Sequence, residues 1–368
     1  MTQAALYPNA EISYRARVRL AARFCKRTSS GTRRTIVTTH RIAGFVLACL
    51  FAAGAFAQAS APTPLRVITF DGGWNLPLWA AQRQGFFEAN GVAVQTAYTP
   101  SSGFLVASLL DGKSDIALAL IDNLVAYREG QGEAKITDNP DLFAFMGGDG
   151  GFLSVIAAPG ISSFADLKGK TLSVDAMTTG AAFVLREIMA RNGIAEADVV
   201  YVRAGGTANR YRDLLAGKHQ ATLLRTPFEL LARSRGLRQL ASAEVLGAYQ
   251  GTAGIARRSW ANEHAAALTG FIRAYRAAVD WLYDRTNRDI VEALLVANGR
   301  DMTPALARQS YDLLLADKGG IARDLAIDPA GIRTVLQLRS KYGTPSKALT
   351  DPAKYIDLTY YDKAFGTR

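Results

Sequence analysis

The residues best placed to bind a small molecule follow the first predicted strand. Residues 65–70 form a short, largely apolar run, and Asp71-Gly72-Gly73 ends it. Pro77 suits the first turn of a helix, because a backbone N–H would have no helical partner there. Open α/β sheets bind ligands at the carboxyl ends of their strands. The sequence therefore predicts a ligand-binding loop that contains Gly73, Trp74 and Asn75.

Three later strand ends carry hydroxyl, carboxylate or amide side chains. Residues 92–98 and 115–120 are predicted strands, and a third strand, 171–175, precedes a helix that starts near residue 180. The candidates at these ends are Ser101, Ser102, Asp122, Asn123, Thr178 and Thr179. Free N–H groups at a helix start favour negative charge. Ser101-Ser102-Gly103 and Thr178-Thr179-Gly180 begin two such helices, one in each half of the chain, and together they predict a small organic anion as the ligand.

Arg225 and Thr226 are the remaining candidates, at a later junction between strand and helix. Arg225 would meet an anionic ligand there, but most arginines are solvated surface charges, and both interpretations stand at this point. A neutral planar ligand is the alternative to the anion. Such a ligand would stack on Trp74 and hydrogen-bond to Asp122 and Asn123.

Catalytic and metal-binding patterns are missing from the predicted mature sequence. Gly169-Lys170-Thr171 resembles the end of a phosphate loop, but Phe164 stands where that loop needs glycine. His219 and His264 have no cysteine or carboxylate partner at the i+4 spacing of a helical metal site. No Gly-x-Ser-x-Gly motif is present. We therefore expect no catalytic residue, no metal site and no cofactor, and a protein that binds its ligand without converting it.

The basic charge of the chain is concentrated in its first part. The formal net charge is +11, but residues 1–57 contain nine of the 43 basic residues and one of the 32 acidic residues. The rest of the chain therefore has a net charge of only +3. A charge this small gives no reason to expect a nucleic acid as a partner.

Residues 1–57 are predicted to be a cleaved export signal. An apolar run follows Arg41 and ends in small residues, with Ala55-Phe56-Ala57 or Ala57-Gln58-Ala59 as the cleavage site. A membrane anchor and a lipoprotein attached at Cys49 are the alternatives. The region before Arg41 is long for a signal, which indicates either a later start site, such as Val37, or a twin-arginine signal at Arg33-Arg34. The cysteines of the chain, Cys25 and Cys49, would be removed with the signal, so the mature protein would contain no disulfide.

The remaining chain is long enough for two domains, and its pattern supports them. Residues 142–158 are extended and interrupted by glycines, after which the alternation of strands and helices restarts. We predict lobe 1 to begin with 64–148, lobe 2 to comprise 149–250, and 251–368 to return to lobe 1 with C-terminal helices. These helices are expected to serve packing alone, because their apolar residues recur at helical spacing.

Three segments carry a resemblance to a known family. Gly85-Phe86-Phe87 with Val92 and Val94, residues 112–117 (GKSDIA), and residues 166–170 (DLKGK) with Val174 occur in that family's order and spacing. Over roughly residues 64–260 the chain resembles the solute-binding proteins of ABC importers for nitrate, sulfonate, taurine and related compounds. Binders of thiamine-pyrimidine precursors belong to the same family.

The resemblance implies a type II periplasmic binding fold, in which two α/β lobes joined by a two-segment hinge close on the ligand. It places the ligand loops at the positions named above, with Thr226-Pro227 as the family's late proline. Gln220-Ala221, where the family commonly has Asp-Ala, departs from the pattern and leaves the ligand class open. A monomeric periplasmic protein with ABC permease and ATPase subunits as partners is implied. An enzyme on the same fold and a periplasmic sensor subunit are the other readings.

Overall fold

Ten strands form two separate sheets. The computed structural model describes residues 61–134, 136 and 140–366, so the predicted export signal lies outside the described residues. The strands are β1 (Thr63–Thr69), β2 (Val92–Tyr98), β3 (Ile116–Leu120), β4 (Leu142–Gly147), β5 (Leu153–Ala157), β6 (Thr171–Val174), β7 (Val200–Arg203), β8 (Ala221–Arg225), β9 (Arg238–Ser242) and β10 (Thr252–Arg257). The first sheet has the order β2-β1-β3-β10-β4 and the second β7-β6-β8-β5-β9.

Each sheet combines parallel strands with one antiparallel strand. In the first sheet β1 pairs in parallel with β2 and β3, whereas β10 runs antiparallel to β3 and β4. In the second, β6 is parallel to β7 and β8, and β5 is antiparallel to β8 and β9. We call the part built on the first sheet lobe 1 and the part built on the second lobe 2. The chain crosses between the sheets twice, after β4 and after β9.

Thirteen α-helices cover these sheets in the described part of the chain. They are α1 (Leu76–Gln84), α2 (Phe86–Ala89), α3 (Ser102–Leu110), α4 (Ile121–Arg128), α5 (Gly180–Arg191), α6 (Thr207–Leu215), α7 (Phe228–Ser234), α8 (Arg258–Glu263), α9 (Ala265–Tyr283), α10 (Arg288–Asn298), α11 (Pro304–Leu314), α12 (Pro329–Tyr342) and α13 (Thr359–Phe365). Within that part, no helix combines the length and the apolar character needed to cross a membrane.

Local chemistry explains four of the helix starts. The side chains of Ser101, Thr179, Thr303 and Asp328 each accept a hydrogen bond from a backbone N–H of the first turn. These caps satisfy donors that have no helical acceptor. The strand β9 was not predicted, because its residues 238–242 show no apolar alternation and form the half-exposed edge of the second sheet.

The predicted apolar face of α9 is buried. Phe271 is fully buried, and its ring stacks on Phe87 of α2 with the ring centroids 5.5 Å apart. Burial of a phenylalanine side chain contributes about 1.5–3 kcal/mol relative to exposure. This helix therefore anchors the C-terminal region to lobe 1.

A buried carboxylate joins the two crossings between the sheets. Asp149, in the first crossing, accepts hydrogen bonds from the N–H of Gly151 at 2.8 Å and from the N–H of Thr252 at 3.1 Å. Thr252 begins the strand that follows the second crossing. The crossings are therefore held side by side, as a two-segment hinge requires. The predicted domain boundaries at 148 and 250 stay a prediction.

Candidate ligand-binding site

A small, partly open cavity lies between the two lobes at the carboxyl ends of their strands. It has about 30 Å³ of water-accessible volume, enough for about two water molecules. Six of the predicted site residues line it: Trp74, Ser102, Asp122, Asn123, Thr179 and Arg225. Phe70, Asp175, Gly180, Ala181, Thr207 and Arg210 are among the other lining residues. The residues predicted at strand ends of both lobes therefore meet at one cavity.

The other five predicted site residues do not line this cavity. The amide of buried Asn75 closes the turn after β1, since it accepts from the Thr69 hydroxyl at 2.9 Å and donates to the Phe70 carbonyl at 2.7 Å. Ser101 caps α3, and the Thr226 hydroxyl donates to Glu229 at 2.6 Å. The Gly73 N–H donates to the Thr226 carbonyl, and the Thr178 carbonyl accepts from Arg339. Polar groups of all five are therefore used inside the fold.

The carboxylate of Asp122 caps the helix start of the opposite lobe. Its Oδ2 accepts from the N–H of Gly180, the first residue of α5, at 2.5 Å. A Cβ atom at Gly180 would lie 2.3 Å from the carboxylate carbon of Asp122, so only glycine allows this approach. Negative charge is favourable at a helix start. The start of α5, which the sequence predicts to bind the ligand's charge, therefore already carries an internal carboxylate.

Arg339 of α12 neutralises Asp122. Its Nε and Nη2 donate to the two carboxylate oxygens at 2.5 and 2.8 Å, and Nη2 also donates to the Thr178 carbonyl at 2.8 Å. The side chains of Arg339 and Asp122 are 0% and 2% exposed. The expectation that the C-terminal helices serve packing alone is therefore wrong for α12.

A sequence signal for Arg339 was present. Ile332, Val335 and Leu336 form the buried apolar stripe of α12, and Arg339 continues that stripe at helical spacing. An arginine is almost never fully buried without a partner. Its place in the stripe therefore indicated a buried acid, although the sequence did not indicate which one.

A second carboxylate makes the reciprocal contact between the lobes. Asp175, which follows β6 in lobe 2, accepts a hydrogen bond from the hydroxyl of Ser102 at the start of α3 in lobe 1. The Gly206 N–H donates to the Pro100 carbonyl at 3.0 Å, and Arg203 pairs with Glu133 at 2.7 Å. The lobes are therefore closed on each other, and a ligand larger than the cavity must break some of these contacts.

Arg225 is buried rather than a surface charge. Its Nε donates to the Gly151 carbonyl at 2.7 Å, and its Nη2 donates to Asp149 at 3.0 Å and to the Thr252 hydroxyl at 3.1 Å. The guanidinium carbon lies 3.9 Å from the ring centroid of Trp74. Burial lowers the pKa of Arg225, and the charge of Asp149 opposes that shift. Nη1 makes no hydrogen bond within the described part of the chain and remains available.

Arg210 of α6 is a second buried cation at the cavity, and the sequence analysis missed it. The residue is 3% exposed, and its hydrogen bonds go to neutral oxygens of Gly205, Thr207 and Leu223. It forms no ion pair with any carboxylate of the described residues. Burial lowers the pKa of Arg210, and the nearby charge of Asp175 opposes that shift. Gly205 and Gly206 follow the strand β7 in the sequence, but Arg210 lies one helical turn farther on.

Other polar groups lie away from the cavity. Buried His219 hydrogen-bonds through Nε2 to Ser173 at 2.9 Å, and burial lowers the pKa of its imidazole. Among the described residues, no group of three or more His, Cys, Asp or Glu side chains is arranged to hold a metal ion. The chemistry that this cavity offers is therefore hydrogen bonding and charge, from two arginines, two carboxylates and several hydroxyl and amide groups.

Comparisons with known proteins agree with this architecture. The periplasmic nitrate-binding protein NrtA from Synechocystis PCC 6803 is 13% identical over 83% of this chain and 89% of that chain, with a TM-score of 0.71. The periplasmic aliphatic sulphonate binding protein SsuA from Escherichia coli is 17% identical over 82% of this chain and 92% of that chain, with a TM-score of 0.60. The desulfurization enzyme DSZB is 14% identical over 83% of this chain and 99% of that chain, with a TM-score of 0.58. At such identities these similarities show the fold, and the predicted type II periplasmic binding fold is confirmed.

No curated protein matches the sequence. The family model described as NMT1/THI5 like matches residues 75–288, which is more than half of the chain and includes every predicted site residue except Gly73 and Trp74. The relation predicted from the three sequence segments is therefore confirmed, and the chain belongs to the NMT1/THI5-like family.

Proposed function

We propose that this protein is the periplasmic substrate-binding component of an ABC importer. It would capture a small organic anion, a sulfonate or carboxylate, between its lobes and deliver it to the permease. The printed names of structural neighbours support the transport role, since NrtA is a nitrate-binding and SsuA an aliphatic sulphonate-binding periplasmic protein. The cavity at the strand ends of both lobes supports the capture of a small molecule.

The observation that carries the choice of an anion is the buried guanidinium of Arg210. A buried charge is unfavourable unless it is paired, and this one has no carboxylate in contact. Arg225 adds the free Nη1, whereas the charge of Asp122 is neutralised by Arg339. Ala181, the second residue of α5, lines the cavity, and its N–H has no acceptor within the described residues. These donors favour a ligand with an anionic group.

A neutral planar ligand of pyrimidine type remains the second candidate. Phe70 and Trp74 both line the cavity, and Asn123 offers an amide. The guanidinium of Arg225 covers one face of Trp74, so that face is not free for stacking in the closed arrangement. An enzyme on this fold is a weaker candidate, supported only by the likeness to a desulfurization enzyme.

Replacing Arg210 by methionine is expected to weaken anion binding by about tenfold to a hundredfold, because a hydrogen bond to a charged group is lost. We would first identify stabilising ligands by thermal shift among sulfonates, carboxylates and uncharged pyrimidines, and then measure their affinities by calorimetry. Mass spectrometry of the recovered ligand would reveal any turnover.

The matched control is Arg212→Met, which removes an exposed arginine from the same helix. Its affinity for the anion should equal that of the parent protein. Stabilisation by uncharged pyrimidines alone, or equal affinity of the Arg210→Met protein in its folded state, would contradict the proposed anion.

Export is expected to leave a mature protein that begins near Gln58 or Ser60 and contains no thiol, because the small-residue cleavage sites precede those positions. Intact-mass analysis of the periplasmic fraction would measure this. A mature protein that retains Cys49, with or without a lipid, would contradict the cleavage and favour an anchored protein.

A further inference from the structure

One carboxylate oxygen in the cavity has no partner. Asp175 is 5% exposed, and its Oδ2 accepts the hydrogen bond from Ser102. Its Oδ1 is buried and makes no hydrogen bond within the described part of the chain. Buried polar atoms in folded proteins are almost always hydrogen-bonded, and a charged oxygen has the largest need of a donor. The open position on Asp175 therefore indicates that a donor comes from outside the protein.

A neighbouring cation, Arg210, does not supply that donor. Arg210 lines the same cavity, but its four hydrogen bonds go to the oxygens of Gly205, Thr207 and Leu223. Asp122, the other carboxylate of the cavity, is fully bonded by Arg339 and Gly180. The cavity thus contains one cation without a contacting carboxylate and one carboxylate without a contacting cation.

We propose that Asp175 is a specificity-determining residue that binds an ammonium group of the ligand through Oδ1, while the ligand's anionic group faces Arg210 and Arg225. This inference rests on the proposed function of the cavity as the site for an organic anion. A zwitterionic ligand would provide a counter-charge for Asp175 and for Arg210 at the same time. Its hydrogen bonds to them would be charge-assisted, and such bonds are about twice as strong as neutral ones. The ligand class is then a small anion that also carries an amino group, an aminocarboxylate or an aminosulfonate.

A site built around an unpaired carboxylate should reject analogues that lack the donor. Binding such an analogue leaves the buried oxygen of Asp175 unsatisfied, whereas the amino compound satisfies it. We expect the amino member of a matched pair to bind at least about tenfold more tightly.

Calorimetry on the purified protein would test this with two matched pairs. One pair is 3-aminopropanoate and propanoate, and the other is 2-aminoethanesulfonate and ethanesulfonate, so that the two sources of the anionic group are distinguished. The variant Asp175→Asn should reduce the preference for the amino member to about threefold or less, since the charge that favours ammonium is removed.

Two further variants make this comparison specific. Ser102→Ala changes the cavity wall and removes the bond to Oδ2 but leaves the carboxylate of Asp175 in place, so both affinities of a pair should fall together while the amino member still binds more tightly. Asp111→Asn changes an exposed carboxylate of lobe 1 and should leave both affinities unchanged. If the Asp175→Asn protein fails to fold, the matched pairs on the parent protein still decide the question.

Equal affinity of both members of each pair would overturn the inference, because a water molecule would then satisfy Asp175, and the proposed anion-binding function would stand. An unchanged preference in folded Asp175→Asn would also overturn it. Binding of none of the four anions, or of an aminopyrimidine alone, would contradict the proposed function together with the inference.

Discussion

Replacing Arg339 by methionine is expected to lower the free energy of unfolding by about 3–5 kcal/mol, because the carboxylate of Asp122 would be left buried without its cation. Both side chains are almost completely buried, and two hydrogen bonds join them. The loss also removes the donor of the Thr178 carbonyl, next to the start of α5. Urea denaturation of the parent and variant proteins would measure the difference.

The second substitution Asp122→Asn, added to Arg339→Met, is expected to recover about 1–3 kcal/mol of that loss, because the unpaired charge is removed while an oxygen remains for the Gly180 N–H. Arg333→Met is the matched control on the same helix, since Arg333 is exposed, and it should change stability by less than about 0.5 kcal/mol. A single Arg339→Met protein as stable as its parent would show that the pair contributes nothing to stability.

The variant Glu229→Gln is expected to be more stable than the parent protein at pH 8 by about 2–3 kcal/mol. Glu229 is 3% exposed, and burial raises the pKa of its carboxyl to about 7, from 4.5. The folded protein therefore holds a proton that the unfolded chain releases at lower pH. The stability contributed by this proton is complete below pH 4.5, is lost as the pH rises from 4.5 through 7, and is absent above pH 7.

Denaturation at several pH values between 5 and 8 would measure this effect. The parent protein should lose stability across that range, whereas Glu229→Gln should lose less, because the amide stays neutral and can still accept from the Thr226 hydroxyl. The hydrogen bond from Thr226 and, to a smaller extent, the charges of Arg233 and Arg225 oppose the effect of burial on this pKa. Glu263→Gln, at an exposed position, should leave the pH profile unchanged. Parallel profiles of the parent and Glu229→Gln would contradict the buried proton.

The contacts of Asp122 with Gly180 and of Asp175 with Ser102 indicate how a ligand would compete with the carboxylates that hold the lobes closed. In each case a carboxylate of one lobe binds at a helix start of the other. A ligand anion has the same chemistry as these carboxylates. A ligand anion would displace the carboxylate of Asp122 from its helix start less easily than that of Asp175, because Asp122 is also bound by Arg339. The contact of Asp175 with Ser102 is therefore expected to open first, which would leave the carboxylate of Asp175 facing the ligand's ammonium group while the anionic group faces Arg210.

The sequence by itself determined the elements whose signals are local. The strand β2 was predicted at its observed bounds, because residues 92–98 alternate between apolar and polar positions and turn residues flank them. The starts of α3 and α5 were predicted at Ser101-Ser102 and Thr178-Thr179, because an N-cap bonds to a backbone N–H only a few residues away, and Ser101 and Thr179 are the observed caps. The two-lobe organisation followed from a pattern that restarts. For the site, strand ends identified six residues that the structure brings to one cavity.

Only the tertiary structure decided which charges are paired. Asp122 and Arg339 are 217 positions apart, and Arg225 and Asp149 are 76 positions apart, so no local pattern selects these partners. The choice is made by burial, because a charge removed from water is stable only beside the counter-charge that packing brings to it. The same burial left Arg210 and one oxygen of Asp175 without a partner of opposite charge. The sequence pattern therefore identified the strand ends that form the site, and three-dimensional packing determined which of their polar groups remain free to bind a ligand.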